Sequence, residues 1–537
     1  MTRGITTRLL LALALWGLYA VQLAHTPPHL HQDEVTFALQ AQSIAATGRD
    51  IEGRAFPLYF EMRALGERVW FHPVLVYLTA LFLKVLPLTE TVVRLPSTLV
   101  GVIDVLLMYF IARRLFQGER WAFFVAALLA FTPAHAIHSR LAMDFLYPVP
   151  FVMAWLLCLL IYLERRQLWW LFAATAFLGL GFFSYIASVI TMPLYVAVTL
   201  LGLWTTSARS VRPYAVAVAG FTCPLLLLAP WLLYHWSFVT DTLGRYQIGA
   251  AVSAGAPVAP RGSLAGVVRG LLMGVRPSML AERISLYWRF FDPAYLFVSG
   301  GFTRLTNSTR HVGVFLLPFL LLVPLGLIHM LTARRTTTSL VVFLGFALAP
   351  VAACLTVLEP YASDRELVLL PFGVLIAAFG VERLLALPSR SARAGTIGLL
   401  VLIPLHFLFF EVDYFGDYHR RAAFWFDWNH RGGLEEIIAR EAGDDRPIFL
   451  SNGSDAIMAA YWRFAVLKHH RQDLLGKTVY FDAKTLDVNS VPDRALILMS
   501  RDDGRLVAMV RSGQLTELAS IPEPADPPYY AVVERRR

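Results

Sequence analysis

The sequence predicts an all-α polytopic membrane protein of about eleven transmembrane helices, followed by a small α/β module. Three observations predict it. Apolar runs close to the roughly 20 residues needed to cross a bilayer recur from the N-terminus to residue 410. Charged residues make up 16% of the chain and hydrophobic residues 57%, against a charged share of roughly 25% in soluble domains. Beyond residue 410 the chain becomes much less apolar.

The first apolar run, Leu9 to Ala24, follows Arg3 and Arg8. Gln22 spoils the small-residue pattern of a cleavage site, so the run reads as a retained anchor that starts in the cytoplasm. The predicted spans are 9–24, 95–112, 121–137, 147–163, 168–187, 190–206, 214–233, 312–331, 339–358, 366–386 and 395–410. With the N-terminus inside, the short inner loops carry Arg113, Arg114 and Arg120; Arg165 and Arg166; Arg209 and Arg212; Arg334 and Arg335; and Arg383, Arg390 and Arg393. That distribution satisfies the positive-inside rule and puts the C-terminus outside. One apolar run remains, Val74 to Leu88, broken by Lys84 and Pro87. Were it to cross, every later arginine loop would invert, so it reads as an interfacial or re-entrant helix.

The domains follow: a transmembrane module over 1–410 with outer loops 25–94 and 235–311, and an extracytoplasmic module over 411–537. In the tail, Gly433 to Ala442 reads as a helix, and Ile448–Leu450, Ala495–Met499 and Tyr529–Val533 read as strands. Cys158, Cys223 and Cys354 all lie in apolar runs and offer no disulfide framework. The net charge of +9 is carried by arginine, with no nucleic-acid motif to claim it.

Candidate chemistry gathers on the outer side. The first outer loop opens with His31-Gln32-Asp33-Glu34. Adjacent carboxylates at a membrane surface serve either as a general base or metal site, or as a solvated helix start with Asp33 as N-cap. Glu61, Glu67 and His72 share the loop, but no metal-ligand spacing is present. Arg94 stands at an outer helix end, either snorkelling or meeting phosphate. Arg140 and Asp144 are four apart, the spacing of a helical ion pair. Asp104 lies mid-span and reads as a buried hydrogen-bonded group. The 235–311 region carries Arg245, Arg261, Arg269, Arg276, Arg283, Arg289, Arg304 and Arg310, a surface suited to lipid phosphates. Within it, Gly249 to Pro257 is small-residue rich, either a mobile gate or a linker.

The order of these segments resembles a known family. Asp33-Glu34 is followed by Thr47-Gly48-Arg49-Asp50, Pro57-Leu58-Tyr59-Phe60, His72-Pro73-Val74-Leu75 and Arg94-Leu95-Pro96-Ser97. Ser139-Arg140 with Asp144, Gly181 to Tyr185, Phe297 to Gly300 with His311, and Arg365 before Leu370-Pro371 continue the pattern. It resembles the bacterial relatives of protein O-mannosyltransferases and of the lipid A aminoarabinose transferase, polytopic GT-C glycosyltransferases that use polyprenyl-phosphate sugars. The resemblance covers roughly residues 10–410.

The resemblance implies an inverting transfer of sugar from a polyprenyl-phosphate carrier to an acceptor on the outer face of the bacterial cytoplasmic membrane. It implies Asp33 as the catalytic group that deprotonates or orients the acceptor nucleophile, Glu34 beside it pairing with an arginine or holding Asp33 in place, and His72, Arg94 and Arg365 at the donor phosphate. Arg140, Asp144 and Tyr185 would line the site. His72 stands where many relatives have the lysine of Lys-Pro-Pro, and a histidine is only partly charged at neutral pH. The acidic residue preceding that lysine in some relatives is replaced by the Trp70-Phe71 stretch, so a divalent metal finds no support in the sequence. The acceptor is open among protein, lipid and polysaccharide. Two other classes stay in view: an inactive lipid-binding scaffold, and a transporter, which would place polar groups on broken helices at the midplane.

Overall fold

The computed structural model describes residues 2–64, 67–116, 118–206, 210–236, 238, 277–301, 304–356, 361–441, 443, 445–451, 457–481, 487–525 and 527–535. A helix occupies each of the eleven stretches that the sequence marks as spans. Among the described residues, five helices are long and apolar enough to cross a membrane: Glu90–Leu115, Pro148–Arg165, Ser188–Thr205, Thr337–Leu355 and Arg390–Phe415. Arg212–Leu225 and Leu228–Tyr234 together make a sixth, bent by 44°. The remaining stretches hold shorter apolar helices, including Leu168–Gly181 and Phe319–Thr332. Helices of this number, length and apolarity are those of a multi-pass membrane protein. Arg390–Phe415 carries the lipid-facing signature most openly. It exposes Ile397, Val401, Leu405, Phe409 and Val412, side chains that water would not tolerate as one stripe.

Glycines set how closely the helices pack. A Cβ on Gly326 would stand 1.8 Å from the Ile376 carbonyl oxygen, and one on Gly380 would stand 2.1 Å from that of Leu322. Helices Phe319–Thr332 and Leu369–Leu385 therefore touch backbone to backbone, the contact that small residues permit inside membranes.

The apolar run after His72 forms helix Pro73–Leu83, of 11 residues. At 1.5 Å per residue it reaches about 16 Å, well short of the roughly 30 Å hydrocarbon core. It follows an antiparallel hairpin that the sequence reading did not foresee, strand β1 (Phe60–Ala64) paired to β2 (Glu67–Phe71) with Phe60 opposite Phe71.

Helix Arg390–Phe415 runs through the expected domain boundary at 410 and stops at Gly416. Beyond it lies a five-stranded sheet of β3 (Ile448–Ser451), β4 (Thr478–Phe481), β5 (Leu496–Ser500), β6 (Leu515–Ile521) and β7 (Tyr530–Arg535), in the order β4-β3-β5-β7-β6. β4, β3 and β5 run parallel, and β7 and β6 are antiparallel. Helices His430–Arg440 and Ile457–Lys468 lie on the side facing the bundle. One continuous apolar core joins Leu434, Tyr461 and Trp462 of the tail to Leu30, Val35 and Leu39 near the first outer helix.

Candidate active site

The acidic pair opens helix Gln32–Thr47, and the local sequence fixes how. His31 is the N-cap, two residues before the position that the sequence suggested for Asp33. Its ring Nδ1 accepts from the Asp33 N–H at 3.2 Å, while Glu34 Oε2 accepts from the His31 N–H at 3.0 Å. This reciprocal box satisfies two donors that a helix start leaves orphaned. Consecutive helical residues point about 100° apart, so the box that turns Glu34 inward leaves Asp33 facing elsewhere.

Glu34 is fully buried and meets Arg94 through two parallel hydrogen bonds, Nε to Oε1 at 2.9 Å and Nη2 to Oε2 at 2.8 Å. The Ala142 N–H adds a third at 2.8 Å. Burial alone would push the Glu34 carboxyl up. The Arg94 charge and these hydrogen bonds overcome it and hold the group below the usual carboxylate range.

Arg94 is 1% exposed, and its remaining N–H groups go to carbonyls of Leu23 (2.9 Å), Pro27 (3.0 Å) and His29 (2.5 Å). A guanidinium has five donors, and this geometry engages all of them. The resemblance implied phosphate contact for Arg94; here no N–H is left over for a phosphate. Arg140 behaves alike. It donates to carbonyls of Tyr19 (2.7 Å), Val21 (2.6 Å) and Thr26 (2.9 Å) and lies over the Phe415 ring at 4.9 Å. The two arginines thereby satisfy the irregular 19–29 segment, whose buried carbonyls lack a helical or sheet ladder. Among the described residues Arg140 and Asp144 form no ion pair, because the stretch between helices Pro133–His138 and Pro148–Arg165 is a series of turns and the four-residue spacing loses its helical meaning.

A second cluster forms at the same end. Asp33 has a side chain 33% exposed and stands 3.8 Å from His31 Nδ1. Burial pushes the Asp144 carboxyl well above the usual carboxylate range, the Asp33 charge pushes it the same way, and Arg365 opposes both. Asp144 thus lies within electrostatic reach of Asp33 and Arg365. Arg365 comes from a single 3-10 turn, Ser363–Arg365. Asp364 in that turn accepts from Tyr185 Oη at 3.5 Å and from Asn307 Nδ2 at 3.2 Å, with Arg365 Nε 3.7 Å away. Glu366 holds the turn from the other side by accepting from Tyr295 Oη at 2.5 Å. Asp364, Arg365, Tyr185, Phe145 and Pro148 line a small cleft.

The structure therefore joins Tyr185 and Arg365 at one cleft, with Asp144 within electrostatic reach of Arg365 and of Asp33, and adds Asp364 and Asn307, which sequence reasoning missed. Asp364 had a faint signal, an acid beside an arginine at the mouth of an apolar run; Asn307 had none. Glu34 and Arg94 form a separate buried pair. His72 is the N-cap of helix Pro73–Leu83, buried and edge-on to Tyr59 at 5.2 Å, in an aromatic cluster that includes Trp231 and Phe183. Asp104 is buried with its Oδ2 3.4 Å from His135 Nε2. Arg245, Arg261, Arg269, Arg276 and the Gly249–Pro257 stretch lie outside the described residues. Among the described residues no group of three or more His, Cys, Asp or Glu is arranged to hold a metal ion.

A family model described as dolichyl-phosphate-mannose-protein mannosyltransferase matches residues 72–234. A search of curated proteins finds no match. ArnT from Cupriavidus metallidurans, solved bound to undecaprenyl phosphate, superposes with a TM-score of 0.58 at 15% identity, over 99% of this chain and 98% of that one. The chain thus shares the fold of ArnT. The oligosaccharyltransferase AglB from Archaeoglobus fulgidus, in complex with an inhibitory peptide and a dolichol-phosphate, gives a TM-score of 0.48 at 14% identity, over 91% of this chain and 69% of that one. The likeness in fold to ArnT runs the whole length of the chain, tail included, whereas the matching family model ends at residue 234.

Proposed function

We propose that this chain is a GT-C protein, an inverting glycosyltransferase that moves a sugar from a polyprenyl-phosphate carrier to an acceptor on the outer face of the cytoplasmic membrane. The observation that carries the reading is the half-open cluster of Asp33, Asp144, Asp364, Arg365 and Tyr185 at one end of a GT-C bundle. Asp33 is the most exposed carboxylate of the cluster and takes the proton of the acceptor hydroxyl. The freed oxygen attacks the anomeric carbon from the face opposite the phosphate. The bond from that carbon to the phosphate oxygen breaks, its electron pair leaves with polyprenyl phosphate, and the configuration inverts. Arg365 is the guanidinium at the cleft and neutralises the charge that grows on the leaving phosphate. Tyr185 and Asn307 hold Asp364, and with it the turn that presents Arg365. Phosphate is a good leaving group, so stabilising its charge matters more than protonating it.

The arginine-rich short loops support an inside N-terminus and, with it, an outer position for this cluster. The likeness to ArnT bound to undecaprenyl phosphate supports a polyprenyl-phosphate donor. The test is native mass spectrometry of the detergent-purified protein and its Asp33→Asn variant. We expect polyprenyl phosphate on both, with the sugar-bearing form enriched on the variant, and the adduct mass would give the sugar class. Ordinary phospholipid alone on both proteins would overturn the reading.

A further inference from the structure

The tail reaches back to the candidate base. The N–H of Gln32, the residue before Asp33, donates to Asp427 Oδ2 at 2.8 Å. Asp427 lies 395 residues away, at the end of the 3-10 turn Ala423–Phe426 and before helix His430–Arg440. Tyr461 Oη donates to the same oxygen at 3.1 Å and to the Leu30 carbonyl at 2.7 Å. Asp427 and Trp428 are both left-handed, with φ 59° each. An aspartate tolerates that region, but a tryptophan adopts it only when the surroundings over-determine it. Here they do: Trp428 stacks on Tyr529 with ring centroids 4.5 Å apart, and the Asn429 N–H donates to Glu523 at 2.8 Å. Lys468 of the tail clamps the same region from the side, 2.8 Å from Glu90 on the helix that carries Arg94.

A helix start presents N–H groups that its own turns cannot satisfy. In helix Gln32–Thr47, His31 serves the second, and the tail serves the first. Asp33 is thus mounted from both flanks. Glu34 after it is held by Arg94 of the bundle, and Gln32 before it is held by Asp427 of the tail.

We propose that Asp427 is a positioning residue for the transfer reaction, through which the C-terminal module sets the place of the Asp33 carboxylate. The proposal rests on the function proposed above. The tail is then part of the catalytic apparatus. Its removal or loosening slows the chemical step and leaves donor capture in the bundle intact. Small displacements of a reacting group are expensive, about 10²-fold in rate for roughly 1 Å.

The test compares full-length wild type, Asp427→Ala and Asp427→Asn in membrane vesicles from the source cells, which carry the acceptor. Polyprenyl-phosphate mannose and polyprenyl-phosphate aminoarabinose are the probes, and release of polyprenyl phosphate is the signal. Hydrogen exchange of the peptide covering residues 31–36 is measured on the purified proteins, with thermal unfolding to show that each is folded. We expect Asp427→Ala to lower kcat by about 10²-fold with donor KM within about two-fold, and to speed exchange at the helix start. Asp427→Asn keeps an oxygen acceptor for the Gln32 N–H and should restore most of the rate. Unchanged kcat and unchanged exchange in Asp427→Ala, with an active wild type, would overturn the positioning role and leave the proposed function standing. An equal loss in both variants would also overturn it, since the hydrogen bond would then not be what matters. A wild type that turns over neither probe and carries no polyprenyl lipid would sink the proposed function, and this proposal with it.

Discussion

Asp33 and Glu34 are neighbours in the chain with opposite fates. Glu34 is sealed in the core with Arg94, every polar atom of the pair spoken for. Asp33 keeps a third of its side chain open and shares its surroundings with Asp144. The contrast shows how a fold separates structure from chemistry within two residues. A bidentate, fully hydrogen-bonded ion pair locks a helix in place and has nothing left to offer a ligand. A carboxylate with solvent access can exchange a proton.

Breaking the buried side of this comparison should have the largest effect on stability. Replacing Arg94 with methionine leaves the Glu34 charge buried without its partner, a change that costs about 3–5 kcal/mol where it has been measured in proteins. Thermal unfolding in detergent should show a large drop, and the double variant Arg94→Met with Glu34→Met should recover much of it. A small drop for the single variant would mean that the pair is more hydrated than its burial implies.

The open side should respond in activity. Asp33→Asn should lower turnover by about 10²–10⁴-fold, the usual contribution of a general base, while the unfolding midpoint barely moves. An equal fall in stability would return Asp33 to a structural role. Arg365→Ala should come next. Loss of the guanidinium at the cleft should reduce kcat/KM for the donor by about 10²-fold, with a smaller change for Arg365→Lys.

The smallest effects distinguish the two sides by pH. Glu34 has a folded pKa held down, so its contribution is fully present above the ordinary carboxylate value near 4.5 and fades as pH falls through its lower folded value. Glu34→Gln should remove that acid limb from the stability profile. Asp144 is the reverse. Its folded pKa is raised, so the folded state holds a proton that the unfolded state releases, and stability declines as pH rises from about 4 through the folded value. Asp144→Asn should abolish the decline, and its advantage over wild type should grow toward neutral pH. A variant that is less stable than wild type at neutral pH would contradict the buried, protonated reading of Asp144.

Much of the bundle is legible in the sequence because membrane helices are written in composition. A run of apolar side chains with arginine at its inner end needs little tertiary information, since the bilayer forbids an unsatisfied backbone. Helix length is less legible, since the apolar runs at 168–187 and 312–331 hold the shorter helices Leu168–Gly181 and Phe319–Thr332. In the tail, β3, β5 and β7 are the inner strands, buried along most of their length, and they coincide with the apolar runs Ile448–Leu450, Ala495–Met499 and Tyr529–Val533. β4 and β6 are edge strands that face outward at alternate or successive residues, so no run announces them. The hairpin β1–β2 escaped for a related reason: its residues Glu61, Arg63, Glu67 and Arg68 look like loop.

The sequence by itself determined a membrane bundle, an acidic pair at the start of the first outer helix, and arginines at helix ends. Those properties follow from side-chain chemistry and local spacing. It did not determine which acid is buried or which arginine faces the cleft. Arg94 and Arg140 look like phosphate ligands along the chain, yet fold inward to satisfy the carbonyls of 19–29. Asp364 and Asp427 carry no motif, yet one lines the cleft and the other braces the helix that bears Asp33. Only the tertiary structure decided these roles, because a hydrogen bond between residues 395 apart depends on where two chain segments meet, and local sequence does not encode that meeting.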